Sequence, residues 1–226
     1  MNRRISRTEY EALIRDARVL QEEVFGVKVW LLPDERVVKL FRTKRLITSA
    51  RLLPYSTRFA RNARRLRRRG IRTPEVLDTF HCPEIERHGV IYRRLPGESF
   101  AELLSRRRDA SLVTRLAAFL AELHEKGIYF RSVHPGNVLL AEDGALGLID
   151  LQDVRFWPWP LSQNARARNF RHLFASDPNS LEVRAFGYEP FVERYLQALP
   201  RGDSYKRRLK PKIMAYDRSW ERKRRD

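Results

Sequence analysis

Three polar residues, Lys39, Asn137 and Asp150, stand in an order that could carry phosphoryl-transfer chemistry. Lys39 lies near the end of a strand-like run, Asn137 lies in a loop after a predicted helix, and Asp150 follows four strand-like residues. Transfer of a phosphoryl group from ATP depends on charge neutralisation and positioning more than on covalent chemistry. A strand lysine can hold the α- and β-phosphates, and amide and carboxylate oxygens suit Mg²⁺. The order therefore points to a site for ATP and Mg²⁺.

Each of these residues also has a purely structural interpretation. Lys39 could be an exposed strand residue, Asp150 could cap a turn, and Asn137 could be a turn residue after Pro135-Gly136. The apolar neighbours of Lys39 and the loop that precedes Asp150 favour the chemical interpretation.

The first part of the chain has the patterns of a small sheet with two helices. Apolar residues at helical spacing after a capping box at Ser6–Glu9 predict a helix over about 6–21. Two β-branched and aromatic runs, 24–32 and 36–41, predict a hairpin. An arginine-rich helix that ends at Gly70 comes next. Further strands are predicted over 75–80 and 89–94.

The second part of the chain is mainly helical. Apolar residues repeat every three or four positions over 111–126, which predicts a buried helix. A loop then leads to a short hairpin over 138–140 and 146–149. Other helices are predicted over 99–104, 165–174 and 190–199. The fold class is therefore α+β, with a small antiparallel-sheet lobe over residues 1–94 and a helical lobe with a basic tail over 95–226.

The composition limits the class of protein and the kind of partner. With 46 Lys+Arg against 28 Asp+Glu, the formal net charge is +18, and Cys82 alone excludes a disulfide framework. No apolar stretch approaches the ~20 residues of a bilayer span, and no secretory signal is visible. We expect a cytoplasmic protein, with contact to the inner face of the plasma membrane as an option. The basic segments 58–72 and 205–226 would attract anionic lipid or phosphorylated saccharide.

The segment from Leu116 to Asp150 resembles the catalytic and metal-binding loops of a protein kinase-like fold. It contains Gly127 to Asn137, then a strand, a turn and Leu148-Ile149-Asp150. Within that fold, the chain is similar to the bacterial lipopolysaccharide core kinases, which phosphorylate Kdo or heptose. Tyr92 to Ser99 is similar to their hinge, and Arg69 to Glu75 to their connection from helix to strand. The resemblance extends over about residues 23–175.

The resemblance implies a bilobal fold whose cleft binds ATP and Mg²⁺. Lys39 would contact the nucleotide phosphates, and Asn137 and Asp150 would bind Mg²⁺. The backbone of Arg93, Arg94 and Leu95 would face the adenine. The acceptor implied is a sugar hydroxyl of lipopolysaccharide core or another anionic envelope glycan.

The chain departs from the kinase pattern H-R-D-x-x-x-x-N at functional positions. Ser132 occupies the position of the Asp that takes the acceptor proton, and Phe130 occupies that of the His. His134 is a candidate replacement base or phosphate contact, and Asp153 is another candidate base. No acidic residue occurs in 43–74 to pair with Lys39, and Asn62 is the nearest polar substitute.

Three classes of function are consistent with these residues. The first is a kinase that acts on an envelope glycan. The second is a pseudokinase, a regulatory or binding module without turnover, which Ser132 favours. The third is a nucleic-acid-binding protein, and it is ranked last because no aromatic residues alternate with the basic runs.

Overall fold

The computed structural model describes residues 3–24, 26–42, 54–107, 109–175 and 178–216. Residues 217–226 of the predicted basic tail lie outside these ranges. The chain divides into two compact units. The first unit contains residues 1–96 and 148–152, and the second contains 97–147 and 153–226.

The first unit is built on a six-stranded sheet with the strand order β1-β5-β6-β4-β3-β2. Neighbouring strands are antiparallel, except that β1 pairs with β5 in parallel. The antiparallel sheet expected from the sequence is therefore a mixed sheet with an added parallel edge strand. The elements are β1 (Arg3–Arg4), α1 (Arg7–Ile14), β2 (Arg18–Glu23), β3 (Gly26–Leu31), β4 (Arg36–Arg42), α2 (Tyr55–Arg67), β5 (Glu75–Cys82) and β6 (Arg87–Arg93).

The strands of this sheet carry apolar side chains in two separate buried clusters. One cluster includes Val38 and Leu40 of β4 together with Ile5 and Tyr10 from the N-terminal segment. The other contains Val29, Leu31 and Val37, with Tyr92 packed against it. Because successive strand side chains point to opposite faces, the alternation in β4 places Lys39 on the side of Val37.

The prediction of one helix over 6–21 is wrong in its second half. The Ser6 capping box does begin a helix, but α1 ends at Ile14, and β2 starts at Arg18. Every residue of β2 is exposed, so the apolar spacing of Val19 and Leu20 reflects no buried helix face. Pairing of β2 with β3 satisfies its backbone groups and outweighs the local spacing.

The second unit is mainly helical. Its longest helix, α4, confirms the helix predicted over 111–126 and carries the expected buried apolar face. Two small sheets, β10-β9-β7 and β11-β8, accompany the helices. The elements are β7 (Glu98–Ser99), α3 (Phe100–Arg107), α4 (Ala110–Glu125), β8 (Ile128–Phe130), β9 (Val138–Leu140), β10 (Leu146–Leu148), β11 (Val154–Phe156), α5 (Gln163–Phe174), α6 (Leu181–Phe186), α7 (Tyr188–Ala198) and α8 (Asp203–Met214).

No helix in the described ranges is both long enough and apolar enough to cross a membrane.

Candidate active site

Lys39 is a buried cation in an interior strand of the first unit. It lies in β4, between β3 and β6, and is only 6% exposed. An ammonium group at such a position needs an anionic partner, because burial without one is costly. Its Nζ donates a hydrogen bond to Asp150 Oδ1, and the two groups form an ion pair. The structure therefore brings together two of the residues that the sequence singled out.

Asp150 is held as a carboxylate. Burial acts to raise the pKa of Asp150, but the Lys39 ammonium, hydrogen bonds from Lys39 and Gln152, and the charge of Lys28 outweigh it. The net result is a pKa below the ordinary value. Asp150 also has φ +60°, in the left-handed region that non-glycine residues rarely occupy. Backbone strain at such a position is found where the surrounding structure fixes it, commonly at functional sites.

Two hydrogen bonds to its backbone fix the segment 148–152 within the first unit. Leu148 N donates to Arg72 O over 2.9 Å. The buried side chain of Asn62, on α2, donates from Nδ2 to Leu151 O over 2.7 Å. The sequence suggested Asn62 as a substitute partner for Lys39, but Asn62 donates this bond to the residue after Asp150. Asn62 therefore holds the backbone next to Asp150, and Asp150 supplies the carboxylate that pairs with Lys39.

Gln152 is a site residue that the sequence reasoning missed. Its side-chain amide donates to Asp150. Its Oε1 is buried and has no hydrogen-bond partner within the described residues. A buried acceptor without a donor is unusual, and here it belongs to the side chain that hydrogen-bonds Asp150. The sequence could have indicated Gln152 only by its position, two residues after the aspartate that follows an apolar strand.

The loop that carries the other predicted residues belongs to the second unit. Asn137 is 7% exposed, and its Nδ2 donates to Ser132 O over 2.9 Å. Asn137 N donates to His134 O over 2.9 Å and closes a single 3₁₀ turn over Pro135–Asn137. Ser132 and His134 are both half-buried. The structure thus gathers Ser132, His134 and Asn137 into one loop, while Lys39 and Asp150 lie in the first unit.

A buried polar chain supports this loop from behind. Asn169 Nδ2 donates to Phe130 O over 2.8 Å, and Asn169 Oδ1 lies 3.1 Å from His124 Nε2. His124 Nδ1 lies 2.7 Å from the hydroxyl of Tyr195. Burial lowers the pKa of His124 to about 3. The hydrogen bond to Asn169 acts to raise this pKa, and the charge of Arg166 acts to lower it. His124 is therefore a packed core histidine. Asn169 had no signal in the sequence.

The segment expected to face the adenine follows β6. Arg93 ends this strand, and its Nη1 pairs with Glu75 Oε2 over 3.1 Å. Arg94 is exposed and Leu95 is half-buried, and both lie outside helices and strands. Their role toward a nucleotide stays a prediction.

The donors present fit Mg²⁺ better than a metal that needs a complete protein cage. In the described part of the chain, no group of three or more His, Cys, Asp or Glu side chains could hold a metal ion. Mg²⁺ is typically bound through one or two carboxylates together with substrate phosphates and water. The ionised Asp150 and the unpartnered Gln152 Oε1 supply oxygens of the required kind.

Comparison with known proteins finds a family model that is similar to part of the chain. Residues 26–127 match the model of the phosphotransferase enzyme family, APH. This segment holds β3 through α4, and thus Lys39 and the residues that lead to the loop of Ser132. No curated protein sequence matches the chain.

Among solved structures, the chain is similar to WbdD, described as a bifunctional kinase-methyltransferase. One WbdD structure shares 18% identity, with 82% of this chain and 47% of that chain covered and a TM-score of 0.45. A second shares 17% identity, with 89% and 49% covered and a TM-score of 0.45. The chain spans about half the length of these structures.

The chain has a kinase-like fold, as its resemblance to the kinases predicts. The family match also supports a kinase-like role.

Proposed function

We propose that this chain transfers the γ-phosphoryl group of ATP to a sugar hydroxyl of lipopolysaccharide core or a related envelope glycan. The observation that carries the proposal is the buried pair of Lys39 and Asp150, in a chain matched by a phosphotransferase family. The glycan acceptor rests on the sequence resemblance to the core kinases. The anionic nature of that acceptor suits a chain with net charge +18.

Each proposed nucleotide contact uses a group that the structure already prepares. Lys39 is held in an interior strand, so its ammonium can exchange Asp150 for a phosphate oxygen without a change of backbone. Asp150, with its low pKa, is ionised at neutral pH and would bind Mg²⁺. The resemblance to the kinases assigns the same role to Asn137. Mg²⁺, when bound, supplies charge neutralisation on the phosphates.

Ser132 leaves the proton of the acceptor without a carboxylate base. A general base typically contributes ~10²–10⁴-fold, so a kinase without one is slow rather than inactive. The imidazole of His134, two residues away in the same loop, is the group that we propose takes this proton. Imidazole is the side chain that most often transfers protons in enzyme reactions.

The direct test is transfer of labelled γ-phosphate from ATP to purified core oligosaccharide. The proposal predicts a labelled saccharide with the wild-type protein and none with Asp150→Asn. His134→Gln should lower the rate about 10²-fold, and its pH–rate profile should lose the limb due to the imidazole. Absence of transfer to any core or envelope saccharide, despite ATP binding, would overturn the proposed acceptor.

A pseudokinase is the second candidate, and the observation that favours it is Ser132 in place of the catalytic Asp. Ser132→Asp distinguishes the two functions. A wild-type protein without turnover that gains transfer activity with Ser132→Asp would show a lost base. A wild-type protein whose activity is unchanged or reduced by Ser132→Asp uses another base, as the first candidate requires.

A further inference from the structure

An exposed tryptophan lies in a short loop of the second unit. Trp159 is 63% exposed and lies between Pro158 and Pro160. The loop is anchored at both ends, since Trp157 N donates to Gly127 O and Leu161 N donates to His124 O, each over 2.8 Å. A large aromatic side chain at this exposure loses the stabilisation that burial would give it. The exposure of Trp159, on a loop whose ends are hydrogen-bonded to the rest of the unit, therefore needs an explanation.

The packing beneath this loop shows that its position is built into the fold. Gly127 has φ +67°, and a Cβ atom there would lie 2.4 Å from Trp159 O and 2.5 Å from Trp157 O. Only glycine allows the loop to approach so closely. The side chain of Trp157 is turned inward, and its ring meets the Tyr129 ring edge-on at 6.3 Å. Of the two tryptophans, one anchors the loop and the other faces solvent.

Four exposed arginines lie on or next to the elements that carry Tyr129 and His172, and one of them, Arg155 of β11, is the strand partner of Tyr129 in β8. Tyr129 OH lies 3.1 Å from His172 Nε2. Burial raises the pKa of Tyr129, while three neighbouring guanidinium groups act to lower it. Burial lowers the pKa of His172, and three guanidinium groups lower it further. The arginines concerned are Arg131, Arg155, Arg168 and Arg171. None of them forms an ion pair with a carboxylate among the described residues.

We propose that these four arginines and Trp159, the arginine–tryptophan surface, dock the protein on an anionic lipid bilayer. Guanidinium groups are attracted to the phosphates of anionic headgroups. Tryptophan is favoured at the depth of the headgroups, where its ring is partly buried and its N–H remains solvated. Charge alone would serve any polyanion, and what a bilayer adds for Trp159 is an apolar layer at the depth of the headgroups. This docking does not depend on the proposed phosphotransfer.

The helix α2 supplies a matched surface for comparison. Its exposed residues include Arg61, Arg64 and Arg67, so it is also basic. Its aromatic residues, Tyr55 and Phe59, are half-buried and buried respectively. A purely electrostatic attraction would use α2 as readily as the arginine–tryptophan surface.

The test is co-sedimentation of the full chain with vesicles of phosphatidylcholine alone or mixed with phosphatidylglycerol. We expect binding only to the mixed vesicles, weakening with added salt. Trp159→Ala should weaken this binding roughly tenfold, whereas Leu181→Ala, at a residue of similar exposure in the same unit, should leave it unchanged. Brominated lipid should quench part of the wild-type tryptophan fluorescence, and Trp159→Phe should remove that quenching.

A charge-matched pair of double variants completes the test. The loss of one arginine should weaken binding about fivefold. Arg155→Glu with Arg168→Glu, which removes two, should therefore weaken binding by more than about tenfold. Arg64→Glu with Arg67→Glu lowers the net charge equally and should have a clearly smaller effect. Equal effects of the two double variants would overturn the proposal, as would an unchanged affinity for Trp159→Ala. Binding of soluble phosphorylated saccharide, but of no vesicle, would also overturn it.

Discussion

At the scale of single residues, the central feature is the pair of Lys39 and Asp150. Their interaction makes a prediction about stability as well as about nucleotide binding. Lys39→Met removes the ammonium that holds the pKa of Asp150 down. At neutral pH we expect the variant to be less stable by about 2 kcal/mol, because a hydrogen bond between charged groups is lost.

The pH dependence of this difference identifies its cause. A carboxyl group whose pKa is lower in the folded chain stabilises the fold above its unfolded value of about 3.9. That stabilisation is lost as the pH falls through the folded pKa. The gap in unfolding free energy between wild type and Lys39→Met, measured with urea, should therefore shrink below about pH 4. A gap that stays constant into acid would show that the pair does not stabilise the fold electrostatically.

Gln152 gives a second prediction at this scale. If its unpartnered Oε1 supports the metal held by Asp150, Gln152→Leu should lower the affinity for Mg²⁺ at fixed ATP about tenfold. Gln152→Glu keeps an oxygen at that position and should retain most of the affinity. Titration of Mg²⁺ at fixed ATP measures both variants. Equal affinities for Gln152→Leu and wild type would remove Gln152 from the site.

At the scale of elements, the N-terminal segment is part of the core of the first unit. Ile5 is 2% exposed and shares a buried cluster with Val38, Phe80 and Ile91. Ile5→Ala should lower the free energy of unfolding by about 3 kcal/mol, because it leaves a cavity beside the sheet. Val19→Ala, in the exposed strand β2, should change it by less than about 0.5 kcal/mol. Chemical denaturation of the two variants makes the comparison, and equal effects would contradict the packing described.

The loop of Trp159 gives a second prediction at this scale. Gly127→Ala adds a Cβ against two carbonyl oxygens at a positive φ, so we expect a loss of more than about 2 kcal/mol. Gly26→Ala is the matched control, because Gly26 has φ +96° but no atom within 4 Å of the added Cβ. The control should lose only about 1 kcal/mol. Thermal unfolding measures both variants, and similar losses would show that the approach of the loop to Gly127 is unimportant.

The same elements show where sequence reasoning succeeded and where it stopped. The helix α4 and the hairpin of β3 and β4 were predicted because their apolar periodicity coincides with their burial. The strand β2 was not, because pairing with β3 determines its conformation while its own side chains stay exposed. Likewise, the positions of Lys39 and Asp150 in the sequence indicated chemistry, but their contact joins residues 111 positions apart. Gln152 and Asn169 were missed because only the folded chain shows which groups they face.

At the scale of the whole molecule, a kinase-like fold is combined with a strongly basic sequence. The net charge of +18 says nothing about fold and attracts every kind of polyanion. Basic surfaces differ in whether an exposed aromatic side chain accompanies the arginines. Trp159 is exposed in the second unit, whereas Tyr55 and Phe59 of α2 are half-buried and buried. The proposed chemistry depends on a few residues, namely Lys39 and Asp150 in one unit and the loop of Asn137 in the other.

The measurement that tests the central claim most directly is calorimetric titration of ATP into the protein, with and without Mg²⁺. The proposal predicts binding that requires Mg²⁺, that Asp150→Asn abolishes and that Lys39→Met weakens by tenfold or more. Leu181→Ala, remote from both residues in sequence and exposed, should bind as wild type does. A wild-type protein that binds no ATP under either condition, or an Asp150→Asn variant that binds as tightly as wild type, would contradict the account.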